Sequence, residues 1–149
     1  MAATGAAETK TQLAVVAPLT PKPDEALTKV KEVYAQLARG MQGQEVLSVM
    51  QCVSPQWKGT EGIAYATLRA KLLHAFKEAS AIKCTIRNVK AAHITEDRYK
   101  VTYEVTLSST LEKTKETREE QSQVTDEVTL GKAGTAQITK TLQGRFWPK

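Results

Sequence analysis

The chain has 149 residues, 41% of them hydrophobic and 25% charged, with a net charge of +5. That length and balance suit one domain with a real core rather than a stapled mini-protein. The positive residues are scattered among Glu and Thr and aromatics make up only 5%, which argues against a nucleic-acid surface of clustered basic residues and stacking rings.

The first 22 residues are rich in Ala and Thr and lead into Pro18, Pro21 and Pro23. They read as a flexible arm (1–22) preceding one domain (23–149), with Leu13–Val16 as a short apolar patch in the arm. No basic region followed by a long apolar core marks a secretory signal, and no run approaches the roughly 20 apolar residues of a membrane helix. A soluble protein is expected, either cytoplasmic or an exported mature chain with its signal removed, with no membrane or nucleic-acid partner.

The first helix is expected to begin at Pro23 or Asp24, where Asp24 and Glu25 suit the positive end of the helix dipole. Leu27, Val30, Tyr34, Leu37 and Met41 recur at threes and fours, and Gly40 and Gly43 are expected to break the pattern. A short helix over about 44–51 follows, then a loop through Ser54, Pro55, Trp57 and Gly59. Thr60 is the expected N-cap of a third helix reaching about Ser80, with Tyr65, Leu68, Leu72, Phe76 and Ala79 on its apolar stripe.

From Ala81 the period changes to two. Ile82, Cys84 and Ile86 alternate with Lys83, Thr85 and Arg87, and Tyr99, Val101, Tyr103, Val105 and Leu107 alternate with polar residues. After Ile86 the apolar positions jump to Val89, so a β-bulge is predicted at Arg87–Asn88. The third and fourth strands are expected near 118–130 and 135–147, joined by a turn through Gly131–Gly134, with Ala136, Ile138, Leu142 and Phe146 on one face of the last. The predicted fold class is α+β, three N-terminal helices packed on a curved, mostly antiparallel sheet of four long strands.

The helix order, the loop carrying Ser54, Pro55, Trp57 and Gly59, and the bulged strand with Ile86, Asn88 and Val89 resemble the nuclear transport factor 2-like superfamily. This cone-shaped, cystatin-like fold includes ketosteroid isomerases, polyketide cyclases and many bacterial proteins. The resemblance covers about residues 23–147 and implies a fifth, short strand near Ser54–Trp57. It lies in element order and loop style, so it implies a fold more than an activity.

Pairing Val128 with Ile138 and Leu130 with Ala136 places Asp126 opposite Lys140. Pairing Val101 with Val128 places Tyr103 opposite Asp126. Three polar groups would then share the apolar inner face, and a one-residue slip would dissolve the cluster. Tyr34, Trp57, Tyr65, Tyr103, Asp126 and Lys140 are the candidates for lining a pocket near a cone opening. Leu68, Leu72, Phe76, Val101 and Val128 would supply its wall, around a cavity of about 300 Å3 or more. Large aromatics at such points are more often core plugs, which favours that role for Trp57 and Tyr65. Ketosteroid isomerases pair a carboxylate base with a Tyr and a carboxylic acid as oxyanion donors, and the second acid has no inner-phase counterpart here.

His74 and His93 lack partners in sequence for catalysis or metal binding. Cys52 and Cys84 show no CxxC spacing and leave the redox compartment open. No phosphate cradle or nucleophile elbow occurs. The reading assigns no catalytic residue, metal or cofactor. It expects a non-catalytic domain holding a small apolar ligand or a protein partner, with homodimerisation through the sheet as one possibility. The alternative is an isomerase- or cyclase-type enzyme using a pocket carboxylate as general base.

Overall fold

A computed structural model of the protein describes residues 23–131 and 134–149. The N-terminal arm, and the middle of the Gly131–Gly134 turn, lie outside the described residues.

Helix α1 spans Pro23–Gln42. Its buried stripe is Ala26, Val30, Val33, Tyr34, Leu37 and Met41, while Leu27, expected inside, is 36% exposed. The helix passes through Gly40 instead of breaking there. Val49 of the next helix packs against that glycine, where an added Cβ would lie 2.8 Å from its methyl. Helix α2 covers Val46–Met50 and the short strand β1 Val53–Lys58. A 3-10 turn at Thr60–Gly62 then separates Thr60 from helix α3, Tyr65–Glu78. Thr60 therefore does not cap α3. Leu68, Leu72 and Phe76 form the buried side of α3.

Strands β2 (Ala79–Thr95), β3 (Arg98–Leu111), β4 (Thr117–Leu130) and β5 (Ala136–Gln143) complete the regular elements of the described residues. The sheet has five strands in the order β1-β5-β4-β3-β2. All pairs are antiparallel except β1 with β5. The α+β class stands. The sheet has five strands, the four long ones read from periodicity and the fifth, short one that the resemblance implied near Ser54–Trp57. One correction applies: the helices are not all N-terminal, because β1 precedes α3. The segment Val53–Lys58 is too short and too punctuated by Pro55 to show a period, yet it finds an edge on β5.

The predicted bulge is present on β2. Arg87 pairs with Glu104 and Lys90 with Thr102, so one extra residue is accommodated, and Asn88 takes it up with φ +57°. Ile86 and Val89 consequently both pack against the core, which runs between the helices and the inner face of the sheet.

After β5 the chain crosses the open end of this core. Gly144 turns it with φ +77°. Phe146 and Trp147 then sink to 0% and 2% exposure, ending the strand before the expected position 147. Their rings lie 6.1 and 5.4 Å from that of Trp57, so Trp57 is part of a three-ring plug. Glu120 latches this tail with both oxygens, one on the Arg145 guanidinium and one on the Lys149 backbone N–H, each at 3.2 Å.

At Gly144 a Cβ would run into the carbonyl oxygen of Gln123, in a backbone region that L-residues avoid. Gly144→Ala is expected to lower stability by about 2 kcal/mol, with red-shifted tryptophan emission as the plug loosens. Urea unfolding followed by fluorescence checks this. A change below about 0.5 kcal/mol with unshifted emission would mean the tail does not depend on that turn.

Candidate functional site

Asp126 sits on the inner face of β4 with no exposed surface. Tyr34 of α1 and Tyr103 of β3 both donate to its Oδ2, at 2.8 and 2.7 Å. Thr141 of β5 donates to Oδ1 at 2.7 Å, and Trp57 of β1 donates its indole N–H to Thr141 at 3.1 Å. One carboxylate thus draws together α1, β3, β4 and β5, and β1 through Thr141. The two tyrosine rings are tilted against each other with centroids 4.5 Å apart.

Two register features produce this geometry. Val128–Ile138 and Leu130–Ala136 pair as expected, but Glu127 pairs with Lys140. Thr139 is therefore an extra residue on β5. It flips the phase, turning Lys140 out and Thr141 in. The expected Asp126–Lys140 pairing is overturned by this bulge. A second extra residue follows: Asp126 pairs with Thr141 and Thr125 with Gln143, which leaves Leu142 half exposed rather than on the inner face. Between β3 and β4 the register differs from expectation by two residues, with Val101 opposite Asp126 and Tyr103 opposite Val124. A shift of two preserves the face, so Tyr103 still reaches Asp126 diagonally.

The electrostatics follow from burial. Desolvation pushes the Asp126 carboxyl from 3.8 up to about 6, while the hydroxyls of Thr141, Tyr103 and Tyr34 pull it back down. Burial and the adjacent Asp126 charge hold both tyrosines well above their ordinary value, so they act as donors throughout the physiological range. No Lys or Arg pairs with Asp126 among the described residues. Near neutral pH it is a buried anion held by hydroxyl dipoles.

Of the six candidates, Tyr34, Tyr103 and Asp126 converge, and Trp57 joins them through Thr141. Tyr65 is half-buried at the start of α3, against the core. Lys140 is exposed on the outer face. Thr141 was not legible because Ile138, Leu142 and Phe146 share one parity and conceal both bulges. Cys52 and Cys84 are buried free thiols, each pushed up to about 12 by burial, hence unreactive near neutral pH. His93 pairs with Tyr99, ring centroids 5.0 Å apart.

Open volume lies elsewhere. A groove of about 560 Å3 runs between α3 and the far ends of β3 and β4, with the C-terminal tail at one end. Ala70, Lys71, His74 and Ala75 line its helical wall, and Ser109, Leu111, Arg118 and Glu120 its strand wall. Those strand residues share the inner-face phase of Leu107, which pairs with Glu120. The groove is therefore the mouth of the cone, flanked by Pro148 and Lys149.

No family model and no curated protein matches the sequence. Solved structures do match. A candidate aromatic ring hydroxylase from Novosphingobium aromaticivorans superposes with a TM-score of 0.73 at 12% identity, covering 87% of this chain and 94% of the other. A nuclear transport factor 2-like superfamily protein from Salmonella enterica gives 0.69 at 7% identity, over 86% and 95%. A hexachlorocyclohexane dehydrochlorinase from Novosphingobium barchaimii gives 0.65 at 12% identity, over 83% and 90%. The fold is thus the nuclear transport factor 2-like one, and proteins that carry it include enzymes.

A carboxyl raised in the folded state binds protons more tightly there than in the unfolded chain. Its contribution to stability is complete below about 3.8 and is lost as pH rises through about 6. That window spans about 3 kcal/mol. The stability difference between wild type and Asp126→Asn should therefore shift by about that amount against wild type between pH 4 and pH 8, measured by urea unfolding at each pH. A flat difference would show that Asp126 is not held as described.

Proposed function

We propose that the protein is a non-catalytic binding domain whose small, largely apolar ligand occupies the groove at the cone mouth. The observation that carries this reading is the separation of carboxylate and open volume. A general base must reach a substrate proton. Asp126 is instead enclosed, with both oxygens accepting from protein hydroxyls. The groove, at about 560 Å3, lies within the roughly 300–1,000 Å3 range of small-molecule sites. Its apolar lining comes from Ala70, Ala75, Ala79, Leu111 and Pro148.

The similar structures support the ligand class without supplying a mechanism. A dehydrochlorinase of hexachlorocyclohexane with this fold acts on a small apolar molecule. At 12% identity the likeness concerns the fold, and sites are grafted onto folds independently. The isomerase-type alternative asks Asp126, which has no exposed surface, to leave its three donors and meet a substrate.

An uncharged fluorescent probe, N-phenyl-1-naphthylamine, separates the two readings. It should bind with one-to-one stoichiometry and a Kd in the micromolar range. Ala70→Trp, which fills the groove from an exposed helical position, should weaken binding by at least tenfold. Asp126→Asn should leave it within about twofold. Loss of binding in Asp126→Asn with unchanged circular dichroism would place the ligand at the buried carboxylate instead.

A further inference from the structure

We infer that the groove is selective for amphipathic anions, molecules with an apolar body and one carboxylate-like head. This rests on the groove being the ligand site and goes further by assigning the ligand's charge. The apolar part of the lining is small and aliphatic, Ala70 and Ala75 on one wall and Leu111 on the other. The polar part is unbalanced. Lys71 on α3 and Arg118 on β4 approach from opposite walls, and Lys149 adds a third cationic side chain at the tail end.

The carboxylates that could neutralise these cations are mostly engaged. Glu120 is held by the Arg145 guanidinium and the Lys149 backbone. Arg118 meets Glu116 only at 3.5 Å, with both side chains more than half exposed (66% and 59%), a geometry that contributes little. Among the described residues neither the Lys71 ammonium nor the His74 imidazole has a hydrogen-bond or ion-pair partner. Glu78 is the single uncommitted carboxylate on the lining. Setting aside Arg118, whose pairing with Glu116 is weak and exposed, Lys71 and Lys149 stand against the one free carboxylate, Glu78, and leave a positive mouth over an aliphatic floor.

An anionic head placed between Lys71 and Arg118 would gain the planar, two-pronged donor geometry of a guanidinium together with a mobile ammonium. Its tail would cover the alanines and Leu111. An ammonium head would be repelled, and an uncharged alcohol would keep the apolar term alone. Partner discrimination here comes from charge complementarity.

Three ten-carbon competitors test this by displacing N-phenyl-1-naphthylamine from the intact chain: decanoate, decanol and decylamine. Decanoate should compete about tenfold more strongly than decanol, since two exposed charge contacts contribute on that order, and decylamine should be the weakest. The Lys71→Gln/Arg118→Gln double variant, both positions being exposed, should abolish the decanoate preference and leave decanol unchanged. Equal competition by decanoate and decanol would overturn the charge assignment while leaving the groove as a binding site. A decanoate preference that survives in the double variant also overturns it, because the charge would then be read elsewhere. If no competitor displaces the probe, or Ala70→Trp leaves all three unaffected, the groove itself is not the site and both readings fall.

Discussion

Keeping one carboxylate buried without a cation is the constraint on which the concave face depends. An ion in a low-dielectric interior is costly unless fixed dipoles replace its lost water. For Asp126 those dipoles are three hydroxyls from α1, β3 and β5. Each is a charge-assisted bond worth about 1.5–3 kcal/mol, and each comes from a different element. Losing the carboxylate strands two buried phenols and a threonine together, so the elements are coupled through it. A network of this kind is satisfied in one register only, which ties the pairing of β3, β4 and β5 to the Asp126 contacts.

The same constraint accounts for the extra residue that the β4–β5 hairpin carries at Thr139. With unbroken alternation Lys140 would enter the core, and its long stem would have to fit beside two tyrosine rings 4.5 Å apart. With Thr139 taken up, the short Thr141 faces Asp126 and Lys140 stays in water. The inserted residue is itself bonded: the Thr139 hydroxyl lies 3.2 Å from the Glu127 carbonyl oxygen and 3.1 Å from the Thr129 hydroxyl.

Much of the architecture was readable because it rests on period. The two-residue alternation from Ile82 to Leu107 and the three-and-four spacing of Leu68, Leu72 and Phe76 each survive in the structure. So does the bulge at Asn88, which breaks the apolar phase visibly. The bulges of β5 leave no such trace. They are two extra residues within one strand, and two phase changes cancel for the apolar positions on either side. Half of the Asp126 cluster was therefore legible and half was not. Tyr103 stayed correctly placed because an error of two residues keeps the face, whereas Lys140 was lost to an offset of one. The groove was not legible at all. It is made by residues of ordinary composition that meet only because the β3–β4 hairpin extends past the core alongside α3.

The tail then decides where a ligand can go. In a cone, the interior beneath the helices and the mouth are alternative sites, and packing determines which stays open. Here Phe146 and Trp147 join Trp57 in the interior, turned inward at Gly144, and Asp126 has no exposed surface. A carboxylate between two tyrosines is chemically equipped to take a proton, but equipment is not access. The groove proposed as the site lies at the mouth, where its character is set by Lys71, Arg118 and a few alanines. Two proteins could thus share this cone and a buried Asp–Tyr cluster and still differ in kind, according to whether packing lets the cluster meet solvent or protein.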